Sequence, residues 1–173
     1  MDYSDIVAYL ENVASVRMRI HSKHATSRPL SSDYEFIGLI GEYQFMVFSG
    51  LTMDISTRPD GDNGCDFRSR VGTIDVKTAR KAFNLLRESG KKHSKILVLA
   101  SYSDSTKRAS LLGWEYDEKM LLCPKKDFGY GILNYYKPAK LLRPMHELYA
   151  IAGFDNSDVR NKILKLMGGD SER

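Results

Sequence analysis

Residues 95–102, Lys-Ile-Leu-Val-Leu-Ala-Ser-Tyr, form the most apolar stretch of the chain, and no other segment limits the possible folds as much. Five apolar residues in succession, 96–100, leave no polar face to turn towards water. Such a run is too short to cross a bilayer and reads as a buried, central strand covered on both sides. Helices must supply that cover. Residues 4–20 carry Ile6, Leu10, Val13 and Ala14 at three- and four-residue spacing, the stripe of an amphipathic helix packed on the outside of the domain. After a polar, proline-containing stretch, Ser32 and Glu35 match the capping-box spacing ahead of an apolar run, which predicts a second helix over 33–49. Gly38 and Gly41 lie inside it, each costing roughly 1 kcal/mol against alanine, so a close approach by another backbone or a ligand is expected at both. Glu42 follows directly.

Between 51 and 78 the pattern changes to short strand-like pieces around Arg-Pro-Asp-Gly-Asp-Asn-Gly at 58–64, a cluster of turn formers. Strand, turn, strand, strand is the expected order. In Gly72-Thr-Ile-Asp-Val-Lys-Thr, Ile74 and Val76 face one side of a strand and Thr73, Asp75 and Lys77 the other. Residues 79–89 then read as a helix closed by Gly90. Aromatic-rich segments around Tyr130 and Tyr135 come later, followed by a helix near 159–167. The composition, 42% hydrophobic and 28% charged, is that of a globular chain long enough for one sizeable core. The chain shows no signal-peptide pattern, and its two cysteines form no CxxC pair. These features predict a soluble, intracellular protein with free thiols and no zinc ribbon.

The net charge is +4, concentrated between Arg68 and Lys95, where nine basic residues face two acidic ones. A charge run of this kind can be a solvated helix face; it gains meaning from the acids inside it. Asp75 and Lys77 leave the same face of their strand, and Asp66 begins the preceding one, so a hairpin can bring the Asp66 and Asp75 carboxylates together. Converging carboxylates suit a hard divalent cation, most plausibly Mg²⁺, with Mn²⁺ as a substitute. A neighbouring lysine adds charge stabilisation and helps orient a metal-bound water, parts that suit hydrolysis of a phosphodiester. Arg80, Lys81, Lys91 and Lys92 flank these acids and are the candidate phosphate contacts, of the kind that fixes position rather than sequence. Tyr130, Tyr135 and Tyr136 alternate with Lys125, Lys126, Lys137 and Lys140, a pattern compatible with base stacking but more often core; Trp114 is assigned to the core.

The order of helix with Glu, strand with Asp, strand with Asp-x-Lys, helix and apolar strand resembles the PD-(D/E)XK nuclease superfamily, the restriction-endonuclease-like fold. The resemblance spans about residues 32–102. It implies an α/β fold with a central mixed sheet flanked by helices (αβββαβ) and an N-terminal helical extension. The chain would be a single nuclease domain over 1–173, with the extension at 1–31, the catalytic core at 32–102 and C-terminal strands and a helix at 103–173. It implies that Glu42, Asp66, Asp75 and the Val76 carbonyl surround the metal and that Lys77 serves the attacking water. Cys65 stands where the family has proline, and Asp54, Asp60 or Asp62 could supply part of the acid set. The segments Gly113-Trp114-Glu115 and 142–148 are reminiscent of phage and mobile-element members, which places the protein in the cytoplasm of a bacterium or phage-infected host. The expected activity is Mg²⁺-dependent DNA endonuclease, nicking duplex DNA as a monomer or cutting both strands as a homodimer, with no membrane partner. A Holliday-junction resolvase of the same fold and a catalytically inactive DNA-binding or regulatory module are the alternatives. His21, His24, His93 and His146 lack zinc-site spacing, and no P-loop, GxGxxG or GxSxG motif is present.

Overall fold

The computed structural model describes residues 2–21, 31–56 and 64–168. Two helices open the chain, α1 (Tyr3–His21) and α2 (Tyr34–Ser49). Their apolar faces meet around Leu10, Leu39 and Ile40, all fully buried. The strands β1 (Phe67–Ser69), β2 (Gly72–Ala79), β4 (Ile96–Ser103) and β5 (Arg108–Tyr116) make a four-stranded sheet in the order β1-β2-β4-β5. It is a mixed sheet: β1 and β2 are antiparallel, β2 and β4 parallel, β4 and β5 antiparallel. The apolar run of β4 therefore lies inside, as its composition predicts. Ile74, Val76, Ile96, Val98 and Ala100 join the core under α1 and α2, while Leu97 and Leu99 face a second, smaller cluster.

That cluster belongs to a second sheet, and here the structure departs from the sequence reading. Residues 79–89 do not form a helix. Asn84–Glu88 is a strand, β3, antiparallel to β7 (Leu133–Pro138), which also pairs with β6 (Lys125–Asp127). The reason lies in burial: Leu85 and Arg87 turn inward and Asn84, Leu86 and Glu88 lie half-exposed, an alternation of period two that only pairing with a distant strand reveals. Gly90 ends this strand in a left-handed turn at φ +82° rather than capping a helix. The αβββαβ meander is likewise replaced: only β1 and β2 form between 64 and 79, residues 51–56 have no regular structure, and the connection from β2 to β4 runs through the second sheet. Most of the turn-former cluster, with Asp60 and Asp62, lies outside the described residues, as does His24.

Short elements complete the chain: α3 (Asp117–Met120), a 3₁₀ turn at Ala139–Leu141, α4 (Met145–Ala152) and α5 (Val159–Leu166), the last at its expected place. Trp114, fully buried, donates its indole N–H to the Pro144 carbonyl at 3.1 Å, and its backbone exchanges two hydrogen bonds with Arg143. A Cβ at Gly113 would sit 2.7 Å from that of Leu142, so a side chain there would push this strip off β5. The segments 113–115 and 142–148 thus meet side by side. The N-terminus of α2 is settled differently from the capping-box expectation. Asp33 is the N-cap residue and makes no side-chain cap bond; its carboxylate turns instead to Arg80.

Candidate active site

The pleat of β2 builds the site. Val76 is buried against the helices, so Asp75 and Lys77 must project from the opposite face. That face opens on a cleft of about 1130 Å³ between β2 and β3, walled also by the segment 91–94. Lys77 Nζ lies 2.5 Å from Asp75 Oδ2, with the Asp75 side chain 4% exposed and that of Lys77 43%. A carboxylate this deep is sustained by a cation at contact distance, since an unpaired buried charge is strongly disfavoured. Arg68, Lys91 and Lys92 stand on the walls with Glu88 and His93. Lys91 pairs with Glu88 at 2.9 Å, and His93 Nε2 donates to the Glu88 carbonyl at 2.9 Å. Ser94 donates to the Gly64 carbonyl at 2.6 Å and pins the entrance of β1 to that of β4.

Asp66 is not one of the residues that line this cleft, although Cys65 and Arg68 on either side of it are. Its Oδ2 accepts the Val76 N–H at 2.6 Å, beyond the point where β1 begins, so the carboxylate continues the ladder that the short strand cannot. Since the N–H and C=O of one strand residue point to the same edge, the Val76 carbonyl also faces the Asp66 side. Gly41 explains where Glu42 lies. A Cβ on Gly41 would fall 1.8 Å from Thr78 Oγ1, so α2 touches the end of β2 one residue past Lys77 only because glycine is there. Glu42, next along α2, is half-buried and does not line the cleft. Gly38 has no comparable neighbour within 4 Å, which corrects the expectation of a close approach there. Asp54 accepts the Ser56 N–H and lies off the cleft.

The predicted phosphate contacts divide. Lys91 and Lys92 line the cleft; Arg80 and Lys81 do not. Arg80 is clasped between Asp33 and Asp104, with four hydrogen bonds of 2.5–3.1 Å that tie the start of α2 to the β4–β5 turn. The Arg80 hydrogen bonds hold the Asp33 carboxyl down to about 2, and the same contacts raise the guanidinium further above its ordinary value. Arg87, counted in the basic run, is buried against Asp117. Sequence reasoning did not name Arg68, His93 and Asn134 as cleft residues; Arg68 opens the basic run and His93 adjoins Lys92, but Asn134 reaches the cleft only through the pairing of β7 with Glu88. Among the described residues, no three His, Cys, Asp or Glu side chains converge as a metal-holding group, and no helix is long and apolar enough to cross a membrane.

Comparison with protein-family models, with curated proteins and with solved structures found no match to this chain.

Proposed function

We propose that the protein is a metal-dependent phosphodiester hydrolase acting on DNA, a divergent relative of the restriction-endonuclease-like enzymes in which a second sheet replaces the helix after the Asp-x-Lys strand. The observation that carries this reading is the placement of Asp75 and Lys77 side by side on one strand face, inside a cleft whose walls carry Arg68, Lys91 and Lys92. The candidate donors, the carboxylates of Asp75 and Asp66 and the carbonyl of Val76, are all oxygen and suit Mg²⁺ or Mn²⁺ in kind; Glu42, the further acid that the resemblance names, lies midway along α2 and outside the cleft lining. The bound cation would supply Lewis-acid polarisation of the phosphate. Arg68, Lys91 and Lys92 draw in the backbone phosphates by charge. Asp75 holds the Lys77 ammonium at the cleft floor, where it neutralises charge gathering on the phosphoryl oxygens as water attacks in line. A bond forms from the water oxygen to phosphorus as the bond to the leaving 3′-oxygen breaks, leaving a 5′-phosphate and a 3′-hydroxyl.

The test is supercoiled plasmid incubated with Mg²⁺, Mn²⁺ or EDTA, beside Lys77→Ala and Asp75→Asn proteins whose melting temperatures are checked first. Metal-dependent conversion to open circle that falls about 10²–10³-fold in folded variants is the expected result; linear product at once would indicate a dimer. A second reading, a DNA-binding module without chemistry, is favoured by the Asp66 bond to Val76 N–H and the Asp75–Lys77 pair, which give both acids structural work. It predicts salt-sensitive binding with no cleavage in either metal.

A further inference from the structure

The strand register of the second sheet sorts its side chains into two faces. Glu88 pairs with Asn134, Asn134 with Lys126, and Leu86 with Tyr136. Directly opposed residues share a face, and so do alternate residues along a strand. One face therefore holds Leu86, Glu88, Asn134, Tyr136 and Lys126. The other holds Leu85, which packs with Leu97 and Leu99 of β4, Arg87, which ion-pairs with Asp117 at the start of α3, and Lys137, which ion-pairs with Glu115 of β5. The first face borders the cleft at its β3 end, where Asn134 is buried. Leu86, Glu88 and Asn134 on it line the cleft beside Asp75 and Lys77, and beyond Asn134 it continues to an aromatic pair. The Tyr136 ring meets Phe128 edge-on at 5.6 Å between centroids, and Lys126 Nζ lies 5.5 Å from the Phe128 centroid. The turn that carries Phe128 is built, since Asp127 accepts the N–H groups of Gly129, Tyr130 and Gly131 at 2.8–2.9 Å.

We propose that this cleft-bordering face is a track for a single-stranded stretch of DNA that leads into the cleft, with bases stacking on the half-exposed Tyr136 and Phe128 and phosphates held by Lys126 and then by Lys91 and Lys92. The inference rests on the hydrolase reading for what happens at the end of the track, and it names the substrate: a strand already parted from its complement. Charge complementarity points to a polyanion. The aromatic pair beside the lysine points to exposed bases, because a duplex keeps its base faces stacked inside and offers rings nothing to stack upon. Lys126 and Tyr136 lie on the three-stranded sheet, Phe128 in the turn after β6, and Lys91 and Lys92 in the segment after β3.

Fluorescence anisotropy in EDTA with labelled oligo-dT and with a labelled duplex of the same length tests this directly. The wild-type protein is expected to bind the strand about tenfold or more tightly than the duplex. Phe128→Ala combined with Tyr136→Leu should weaken strand binding about tenfold, and Tyr136→Phe, which keeps the ring, should not. Lys126→Ala should reduce the salt slope of strand binding by about 0.7. Melting temperatures and Trp114 emission identify variants that have kept the fold. Equal affinity for strand and duplex overturns the proposal, as does unchanged oligo-dT binding by a folded double variant. Because the assay holds no divalent cation, the two readings fail separately. Variant-sensitive strand binding with no cleavage of the same oligo-dT or of plasmid once Mg²⁺ or Mn²⁺ is added removes the hydrolase reading, whereas cleavage without variant-sensitive strand binding removes the track.

Discussion

The two sheets of this protein are held by different forces. Around the four-stranded sheet, Leu39, Ile40, Phe45, Met46, Ile74 and Trp114 are excluded from water almost entirely, and rings such as those of Phe45 and Phe67 meet at 4.9 Å. Burying each such side chain contributes about 1.5–3 kcal/mol. The three-stranded sheet has a far smaller apolar seam, centred on Leu85, Leu97, Leu99 and Met120. Much of its attachment is ionic. Arg87 reaches Asp117, and Lys137 reaches Glu115 at 2.5 Å with the glutamate side chain 5% exposed. The contrast teaches that the site lies on a seam between a rigid layer and a more loosely attached one: β2 brings the acid and lysine, and β3 brings the opposite wall.

Substitutions in the two layers should separate these forces. Phe45→Ala is expected to cost about 3–5 kcal/mol of global stability in chemical denaturation, with the slope of the transition unchanged. Leu85→Ala should cost less, about 2–3 kcal/mol; a cost equal to that of Phe45→Ala would mean that the two layers form one cooperative core. Glu115→Gln removes the anion that Lys137 meets in the seam, and a loss of about 1–3 kcal/mol follows. Hydrogen exchange should then show β3 and β7 amides opening below the global free energy while β4 amides stay protected, and uniform exchange would erase the contrast.

The smallest effect belongs to the Arg80 clasp. Asp33 titrates near 2 in the folded protein against an ordinary 3.8, so its contribution is complete above about pH 4 and is lost as pH falls through about 2. Both partners are more than a third exposed, which limits the gain to under about 1 kcal/mol. Asp33→Asn should flatten the pH dependence of the melting temperature in that window, and an unaltered profile would show that the clasp contributes nothing.

What was legible in the sequence is what local periodicity encodes. The stripes of α1 and α2, the continuous apolar run of β4 and the alternation that sets Asp75 and Lys77 against Val76 all carry their signal within a few residues. β3 was misread because Ala82, Leu85 and Leu86 fit a helical stripe as well as a strand, and the strand that decides between them, β7, lies far along the chain. The same distance hid the fate of Arg80, whose acidic partners sit before α2 and after β4. Asp66 was correctly placed beside β2, yet its bond to the Val76 N–H depends on where β1 stops, a property of hairpin register that composition does not express.

The route from β2 to β4 through the second sheet also has a consequence in time. A chain leaving the ribosome can complete the pairing of β1, β2, β4 and β5 once Tyr116 has emerged, but Glu88 meets Asn134 and Asn84 meets Pro138 only when β7 follows. Until then β3 is a long excursion with an open edge, and closing it carries the entropy of a large loop. The cleft, having β2 for one wall and β3 for the other, is therefore the last part of the molecule to take shape, so that a nascent chain would acquire its framework well before it acquires a working surface.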